Sequence, residues 1–126
     1  MSLPVNATLQ AAQSYVRNVR AAQEFLAQQD ATTEASRFTR LLADLRQAQD
    51  LLRRNPAAGR PARFLAANSA QAQALASRAQ TLALAHGVPH LRELVVKPYL
   101  LLYAHSADRI VLLALKHERQ LVFEMP

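Results

Sequence analysis

The spacing of apolar residues predicts two amphipathic helices in the first half of the chain. Over residues 7–28 and again over residues 34–54, apolar side chains recur every three or four positions, which places them on one helical stripe. The first stripe consists of Leu9, Ala12, Val16, Val19, Ala22 and Leu26, and the second of Phe38, Leu41, Leu42, Leu45, Ala48 and Leu52. Asn6 and the pair Asp30 and Thr33 are candidate N-caps. Because only a short polar turn separates the stripes, we predict an antiparallel helix hairpin over about residues 7–54.

Proline and glycine mark where this hairpin ends. Pro56 disfavours the α conformation at Asn55 and lacks a backbone donor, so the second helix is expected to end near Arg54. The stretch "NPAAGRP", residues 55–61, is then predicted to be a loop.

A third helical stretch is predicted between this loop and the C-terminal part. Asn68 or Ser69 is placed to cap it, and Gly87 is placed to end it. Its apolar stripe is thin and consists of Leu75, Ala79 and Leu82. The pattern therefore indicates an inserted helical segment over about residues 65–88.

From residue 91 the pattern changes to short aliphatic and aromatic runs. The runs cover residues 91–96, 99–104, 110–115 and 121–124. The connections between them are too short for parallel crossovers, which favours antiparallel strands joined by hairpins. Since both faces of the middle runs are apolar, we expect the helix hairpin to cover at least one side. The prediction is an α+β fold, with a helix hairpin packed on a twisted antiparallel sheet of three to four strands over about residues 91–124.

Length and composition limit the class of protein. The chain has 126 residues, a common size for one domain, so we predict a single domain over residues 1–126. It has no cysteine, which excludes disulfides and thiol chemistry and suits a reducing compartment. The N-terminus lacks the basic and apolar regions of a secretory leader, and the apolar runs are too short to cross a bilayer. We therefore expect a cytoplasmic protein with no membrane contact.

Positive charge is concentrated in the middle of the chain. The net charge is +6, and no acidic residue lies between Asp50 and Glu93. The candidate partner- or nucleic-acid-binding residues are five arginines of this interval and one near the C-terminus. They are Arg53, Arg54, Arg60, Arg63, Arg92 and Arg119. A block of one sign attracts nucleic acid or an acidic protein, although a solvated basic surface is an equally good explanation of charge alone.

Four polar side chains emerge from the apolar runs of the C-terminal part. They are Arg92, Tyr103, His117 and Arg119. If they met in one groove, they would supply phosphate binding, a proton donor and a general base, which metal-free RNA cleavage requires. The alternative is that each is an ordinary polar residue at a strand end. Isolated glycines and scattered histidines predict neither a cofactor nor a metal.

The order of these features resembles the RelE/ParE superfamily of bacterial toxins, which are subunits of type II toxin–antitoxin modules. The matching residues are Asn55 and Pro56, then Gly59, Arg60 and Pro61, then Leu91 and Arg92, Tyr99 and Tyr103, Asp108, and finally His117 and Arg119. The resemblance implies a short first strand, for which residues 2–5 are the candidate. It also implies an acidic antitoxin as partner and a role in plasmid stabilisation and growth inhibition.

Three functions are compatible with this resemblance. The ParE-like branch inhibits DNA gyrase, and the RelE-like branch cleaves mRNA on the ribosome with a basic residue directly after the first Tyr of the Tyr-x-x-x-Tyr strand. This chain has Leu100 at that position, which favours gyrase slightly. In the ribonuclease alternative His117 is the base, Arg92 and Arg119 bind phosphate and Tyr103 assists. The third alternative is an inactive interaction module, and a homodimer is left open.

Overall fold

The computed structural model describes residues 6–125, which contain three α-helices. The helices are α1 (Gln13–Gln29), α2 (Glu34–Arg54) and α3 (Ala70–Ala85), with a short 3₁₀ turn over Arg63–Leu65. Helix α2 ends at Arg54, directly before Asn55 and Pro56, as predicted. The Ser69 hydroxyl accepts a hydrogen bond from the Ala72 N–H and so caps α3. At the other end of α3, Gly87 adopts a φ of 72°, a left-handed conformation that suits glycine.

Five strands form one mixed sheet. The strands are β1 (Thr8–Ala11), β2 (Arg60–Pro61), β3 (His90–Val96), β4 (Tyr99–His105) and β5 (Arg109–His117), in the order β1-β5-β4-β3-β2. Strand β1 is parallel to β5, and all other pairs are antiparallel. The predicted α+β class and the three C-terminal strands are confirmed. The sheet has one or two strands more than predicted, because β1 and β2 join its two edges.

The beginning of the first helix was predicted wrongly. Residues 8–11 are a strand, and α1 begins only at Gln13. The residue before α1 is Ala12, which makes no side-chain capping bond, so Asn6 is not the N-cap. The first strand suggested for residues 2–5 lies outside the described residues.

Helix α1 completes the edge of the sheet where β1 ends. Beyond Leu112, the outer edge of β5 faces α1 instead of a strand. The Ser14 hydroxyl donates to the Leu113 carbonyl, and the Asn18 side-chain oxygen accepts from the Leu115 N–H at 2.9 Å. Backbone groups that would otherwise need a neighbouring strand are therefore satisfied by helix side chains.

The sheet is covered on both faces. Helices α1 and α2 cover one face, which we call the hairpin face, and α3 covers the other, which we call the insert face. The hairpin-face core includes Leu41, Leu45, Leu52, Leu101, Tyr103 and Leu112. The insert-face core includes Leu75, Ala79, Ala83, Leu102, Val111 and Leu113. A β-bulge in β5 adds Leu113 between the residues paired with Leu102 and Tyr103. Because of this extra residue, Leu113 and Ala114 both face the insert.

The last predicted strand is absent from the sheet. Residues 121–124 follow β5 without strand pairing. Phe123 instead buries its ring against Phe64 on the insert face, at 6.4 Å between ring centroids and nearly edge-on. Among residues 6–125, no helix is long and apolar enough to cross a membrane.

Candidate functional site

Tyr103 holds the loop that follows α2. Its side chain is fully buried on the hairpin face. The hydroxyl donates to the Pro56 carbonyl at 2.7 Å and accepts from the Gly59 N–H at 2.9 Å. Burial raises the pKa of this hydroxyl, and the smaller effects of the Gly59 hydrogen bond and the Arg92 charge lower it. The phenol is therefore neutral around neutral pH and is occupied by two backbone groups.

Arg92 fixes the same loop from the neighbouring strand. It lies directly opposite Tyr103 in the β3–β4 register. One Nη1–H donates to the Gly59 carbonyl at 2.9 Å, and the Nε–H donates to His105 Nε2 at 3.1 Å. Tyr103 and Arg92 together satisfy both backbone groups of Gly59.

His105 is held in one neutral tautomer by its two neighbours. Its Nε2 accepts from Arg92, so the proton must lie on Nδ1, which is 2.9 Å from the Ser106 carbonyl. Burial lowers the pKa of His105. The Ser106 hydrogen bond opposes this, while the Arg92 and His90 charges add to it. Protonation would remove the acceptor and place two cations against each other.

This arrangement predicts a stability that depends on pH. Because the folded protein lowers the His105 pKa, its contribution is fully present above the unfolded pKa of about 6.5 and is lost as pH falls towards the folded pKa. We expect urea denaturation midpoints to fall more between about pH 7.5 and pH 5.5 for the wild type than for His105→Gln, which keeps an acceptor for Arg92. The other three histidines are unchanged in the variant, so equal pH dependence would contradict the assignment.

His117 and Arg119 lie at the opposite end of β4. His117 is paired with Tyr99, and the two rings meet edge-on at 5.4 Å between centroids. Its Nδ1 accepts from the Arg119 backbone N–H at 3.1 Å, and Nε2 has no hydrogen-bond partner among residues 6–125. At roughly 3.3 Å per strand residue, the His117 position is about 13 Å along the sheet from the Arg92 position. The structure thus forms two separate pairs, Arg92 with Tyr103 and His117 with Arg119.

A groove opens beside the second pair. It lies between the C-terminal half of α1 and the ends of β4 and β5, with a volume of about 440 Å³. Its floor is largely apolar and includes Ala21, Ala22 and Leu115, while the Phe25 side chain is 51% exposed at its side. Lys116, His117 and Arg119 also line it. One carboxylate, Glu124, also lines the groove. The groove therefore combines an apolar floor with a border that is basic on balance.

The remaining basic candidates divide into two places. Arg53 and Arg54 end α2, and Arg53 forms an exposed ion pair with Asp50 at 3.2 Å. Arg60 and Arg63 lie at β2 and the 3₁₀ turn, and both approach the carboxylate of Glu93. Arg92 points to the hairpin face and is not part of either set. Within residues 6–125, no group of acidic or histidine side chains is arranged to hold a metal ion.

A comparison with protein families identifies the class of protein. Residues 13–122 match the model of the ParE toxin of type II toxin-antitoxin system, parDE. The chain belongs to this toxin family. The match spans all three helices and strands β2 to β5, and it leaves β1 outside. No curated protein matches the chain at a significant level.

Membership in the family establishes the role of the protein at a general level. It is the toxin of a type II toxin–antitoxin module, and the family implies an antitoxin partner. The residues that earlier marked the resemblance now have positions. Pro56 and Gly59 of the loop form one contact region on the hairpin face with Arg92 and Tyr103. Arg60 pairs with Glu93 instead, and His117 and Arg119 border the groove.

Sequence reasoning missed three residues of the toxin that have notable environments. Phe25 is a large apolar side chain that is exposed on α1. The only signal in the sequence was that it lies directly before Leu26 and outside the apolar stripe. Lys116 lies in the groove, and its amine donates to the Gln120 carbonyl at 2.8 Å. Glu93 is a buried carboxylate in the middle of β3. The only feature that could have drawn attention to it in the sequence is its position directly after Arg92.

Proposed function

We propose that the toxin inhibits DNA gyrase by binding to it and does not act by cleaving mRNA. The observation that carries this proposal is the separation of the four candidate catalytic residues into two pairs. Metal-free RNA cleavage needs a base, a proton donor and a phosphate-binding cation within hydrogen-bond reach of one nucleotide. The Tyr103 hydroxyl is fully buried and engaged by Pro56 and Gly59, so it is not available as the donor.

The position of Leu100 gives further support. It lies on the insert face and packs, partly buried, against the core under α3. A basic side chain there would have to displace this packing to reach a bound strand of RNA. An apolar residue at this position fits a protein that acts through binding.

A supercoiling assay tests the proposal directly. Purified toxin is added to gyrase, relaxed plasmid and ATP, and the supercoiled product is measured over a range of toxin concentrations. We expect inhibition that rises with the ratio of toxin to gyrase. Full supercoiling at a large excess of folded toxin would remove gyrase as the target.

One observation favours the ribonuclease as a second candidate function. His117 lies beside Lys116 and Arg119 in an open groove, which brings an imidazole and two cations together. Because Nδ1 accepts from the Arg119 N–H, the ring would act as a base only after that hydrogen bond is broken. Primer-extension mapping of transcripts after induction distinguishes this candidate. Cuts at fixed codon positions that vanish in His117→Ala would establish cleavage, and growth arrest with intact transcripts would exclude it. A chain that arrests neither growth nor supercoiling would be an inactive interaction module.

The groove between α1 and β5 is the proposed binding site for an acidic segment of the antitoxin. Support comes from the apolar floor, which suits the apolar face of a segment that folds on binding, and from the basic border. Attraction between an acidic segment and this border weakens as salt screens the charges. Binding that is indifferent to ionic strength would contradict an electrostatic contribution.

Removing the exposed aromatic ring of the groove is expected to weaken antitoxin binding. Large aromatic side chains in interface pockets often contribute about 2 kcal/mol or more, so we expect Phe25→Ala to raise the dissociation constant by about tenfold or more. The measurement is titration of each toxin variant with the purified antitoxin partner. Leu84→Ala is the control, because Leu84 is 74% exposed on α3 and does not line the groove. Equal effects of the two changes would place the antitoxin elsewhere.

A further inference from the structure

Two arginines converge on one buried carboxylate at the edge of the insert face. Glu93 is only 2% exposed, and its Oε1 accepts from Arg60 Nε at 2.8 Å. Arg63 Nε approaches the same oxygen at 3.7 Å. The register explains the first contact, because Arg60 lies directly opposite Glu93 in the β2–β3 pair. A buried carboxylate needs such compensation, since an unpaired charge in this position is strongly destabilising.

Both guanidinium groups approach Glu93 through Nε, which leaves their outer nitrogens available. Within residues 6–125, neither Arg60 nor Arg63 makes a hydrogen bond through Nη1 or Nη2. The Arg60 side chain is 39% exposed and that of Arg63 is 73% exposed. The planar guanidinium presents its donors as a rigid fork, so holding Nε fixes the direction in which the Nη donors point. Glu93 therefore anchors the inner edge of Arg60 by a hydrogen bond, while it attracts Arg63 only by charge at 3.7 Å. The outer edges of both groups face solvent.

The cluster carries more positive than negative charge. Lys116 is close enough that its pKa responds to both groups: burial lowers it, Glu93 raises it and Arg63 lowers it again. The lysine amine also lies over the Phe123 ring, 5.5 Å from its centroid. Two arginines thus contact one carboxylate that is itself hidden from solvent, and Lys116 adds a third positive charge nearby. The outward surface of the cluster is basic.

We propose that Arg60 and Arg63 form a binding site for a phosphate group in the backbone of a nucleic-acid strand, with Glu93 as the positioning residue. Two adjacent forks suit phosphate, because its oxygens point in several directions and accept from both at once. A single carboxylate is planar and is satisfied by one fork. The inference goes beyond gyrase inhibition, which needs only a protein–protein surface.

The surrounding sequence fits a polyanion better than an isolated phosphate ion. No acidic residue lies between Asp50 and Glu93, and Glu93 is buried. The same interval of sequence also contains Arg53 and Arg54, which end α2. A strand with regularly spaced phosphates gains from such a stretch, and the gain falls with salt as counterions compete.

Fluorescence anisotropy with the full purified chain tests the site. The probes are a labelled DNA duplex and a labelled single-stranded RNA of the same length, each titrated at several salt concentrations. We expect the wild type to bind at least one of them, and the choice between the two identifies the source of the phosphate. Arg63→Gln is expected to weaken binding by roughly tenfold and to lower the slope of log K against log salt by about one.

Two further variants separate binding from a structural role. Arg78→Gln removes the same charge from an exposed position on α3 and is expected to change affinity by about twofold or less. Glu93→Gln keeps an oxygen that accepts from Arg60 while removing the negative charge, so it is expected to bind at least as tightly as the wild type. A purely structural arginine cluster would leave the salt slope unchanged in Arg63→Gln.

The proposal is wrong if neither probe binds, or if Arg63→Gln binds with the affinity and salt slope of the wild type. It is also wrong if a Glu-rich peptide binds through Arg63 while both nucleic acids fail to bind, since the site would then recognise a peptide. Gyrase is not added in any of these binding assays, so their outcome is independent of gyrase inhibition. A toxin that inhibits supercoiling but binds neither probe would leave the proposed function intact and overturn only this inference.

Discussion

Replacing Tyr103 with Phe is expected to lower the free energy of unfolding by about 2–4 kcal/mol, because it leaves two buried backbone groups without partners. The hydroxyl accepts from the Gly59 N–H and donates to the Pro56 carbonyl, and the ring around it is fully buried. Each unsatisfied group in such a position costs about 1–3 kcal/mol. The measurement is urea denaturation, in which the midpoint should fall while the slope stays the same.

Tyr99→Phe is the matched control. Tyr99 lies on the same strand and the same face and is also buried, but its hydroxyl makes no hydrogen bond within residues 6–125. The same substitution is therefore expected to change stability by less than about 1 kcal/mol. Similar losses in the two variants would show that the Tyr103 hydroxyl does not hold the loop.

The Tyr103 variant also bears on the function. If the toxin acts by binding, folded Tyr103→Phe should inhibit gyrase as well as the wild type does at the same folded concentration. A ribonuclease that used this hydroxyl as a proton donor would lose about two orders of magnitude or more in rate. Loss of stability with unchanged gyrase inhibition in Tyr103→Phe would thus show that Tyr103 holds the loop and does not act on a substrate.

Local pattern was sufficient to predict the helices and the three long strands. Within the second stripe, Leu41, Leu45, Ala48 and Leu52 face the core as expected from their spacing, whereas Leu42 is 44% exposed. The start of α1 could not be predicted in this way. Residues 8–11 form a strand because they pair with Arg109–Leu112, and that pairing is not visible in either segment alone. Tertiary pairing here overrides a helical pattern.

The geometry of the site depended on long-range register and on one bulge. The sequence singled out Arg92 and Tyr103 as candidate site residues, but it did not show that they lie opposite each other and hold Gly59. Glu93 directly follows the charged residue Arg92, and nothing in the sequence indicates that it is buried, whereas the β2–β3 register buries it against Arg60. The extra residue at Leu113 changes which face every later β5 side chain occupies, so the side on which His117 lies could not be counted from the start of the strand.

Gly59→Ala is expected to destabilise the toxin by about 2–3 kcal/mol, because no space exists for the added methyl group. A Cβ at this position would lie 2.7 Å from the Glu93 carbonyl oxygen, 2.8 Å from the Tyr103 hydroxyl and 2.9 Å from the Tyr103 ring. A strand carbonyl and a fully buried ring cannot move without disturbing the sheet. The loop must therefore shift, which also weakens the hydrogen bonds from Tyr103 and Arg92 to Gly59.

Gly87→Ala is the contrasting variant, because at Gly87 the backbone conformation opposes alanine, whereas at Gly59 the lack of space opposes it. The φ of 72° at Gly87 is unfavourable for alanine, but the nearest atom to an added Cβ is the flexible end of Arg109 at 3.4 Å. The expected cost is about 1 kcal/mol, smaller than at Gly59.

A double variant tests the contact between Gly59 and Tyr103. In Gly59→Ala with Tyr103→Phe, removal of the hydroxyl also removes one of the close contacts of the new methyl group. The double variant should therefore lose less free energy of unfolding than the sum of the losses in the two single variants. Strict additivity, or a larger loss at Gly87 than at Gly59, would mean that the loop is not held by the contact between Gly59 and Tyr103.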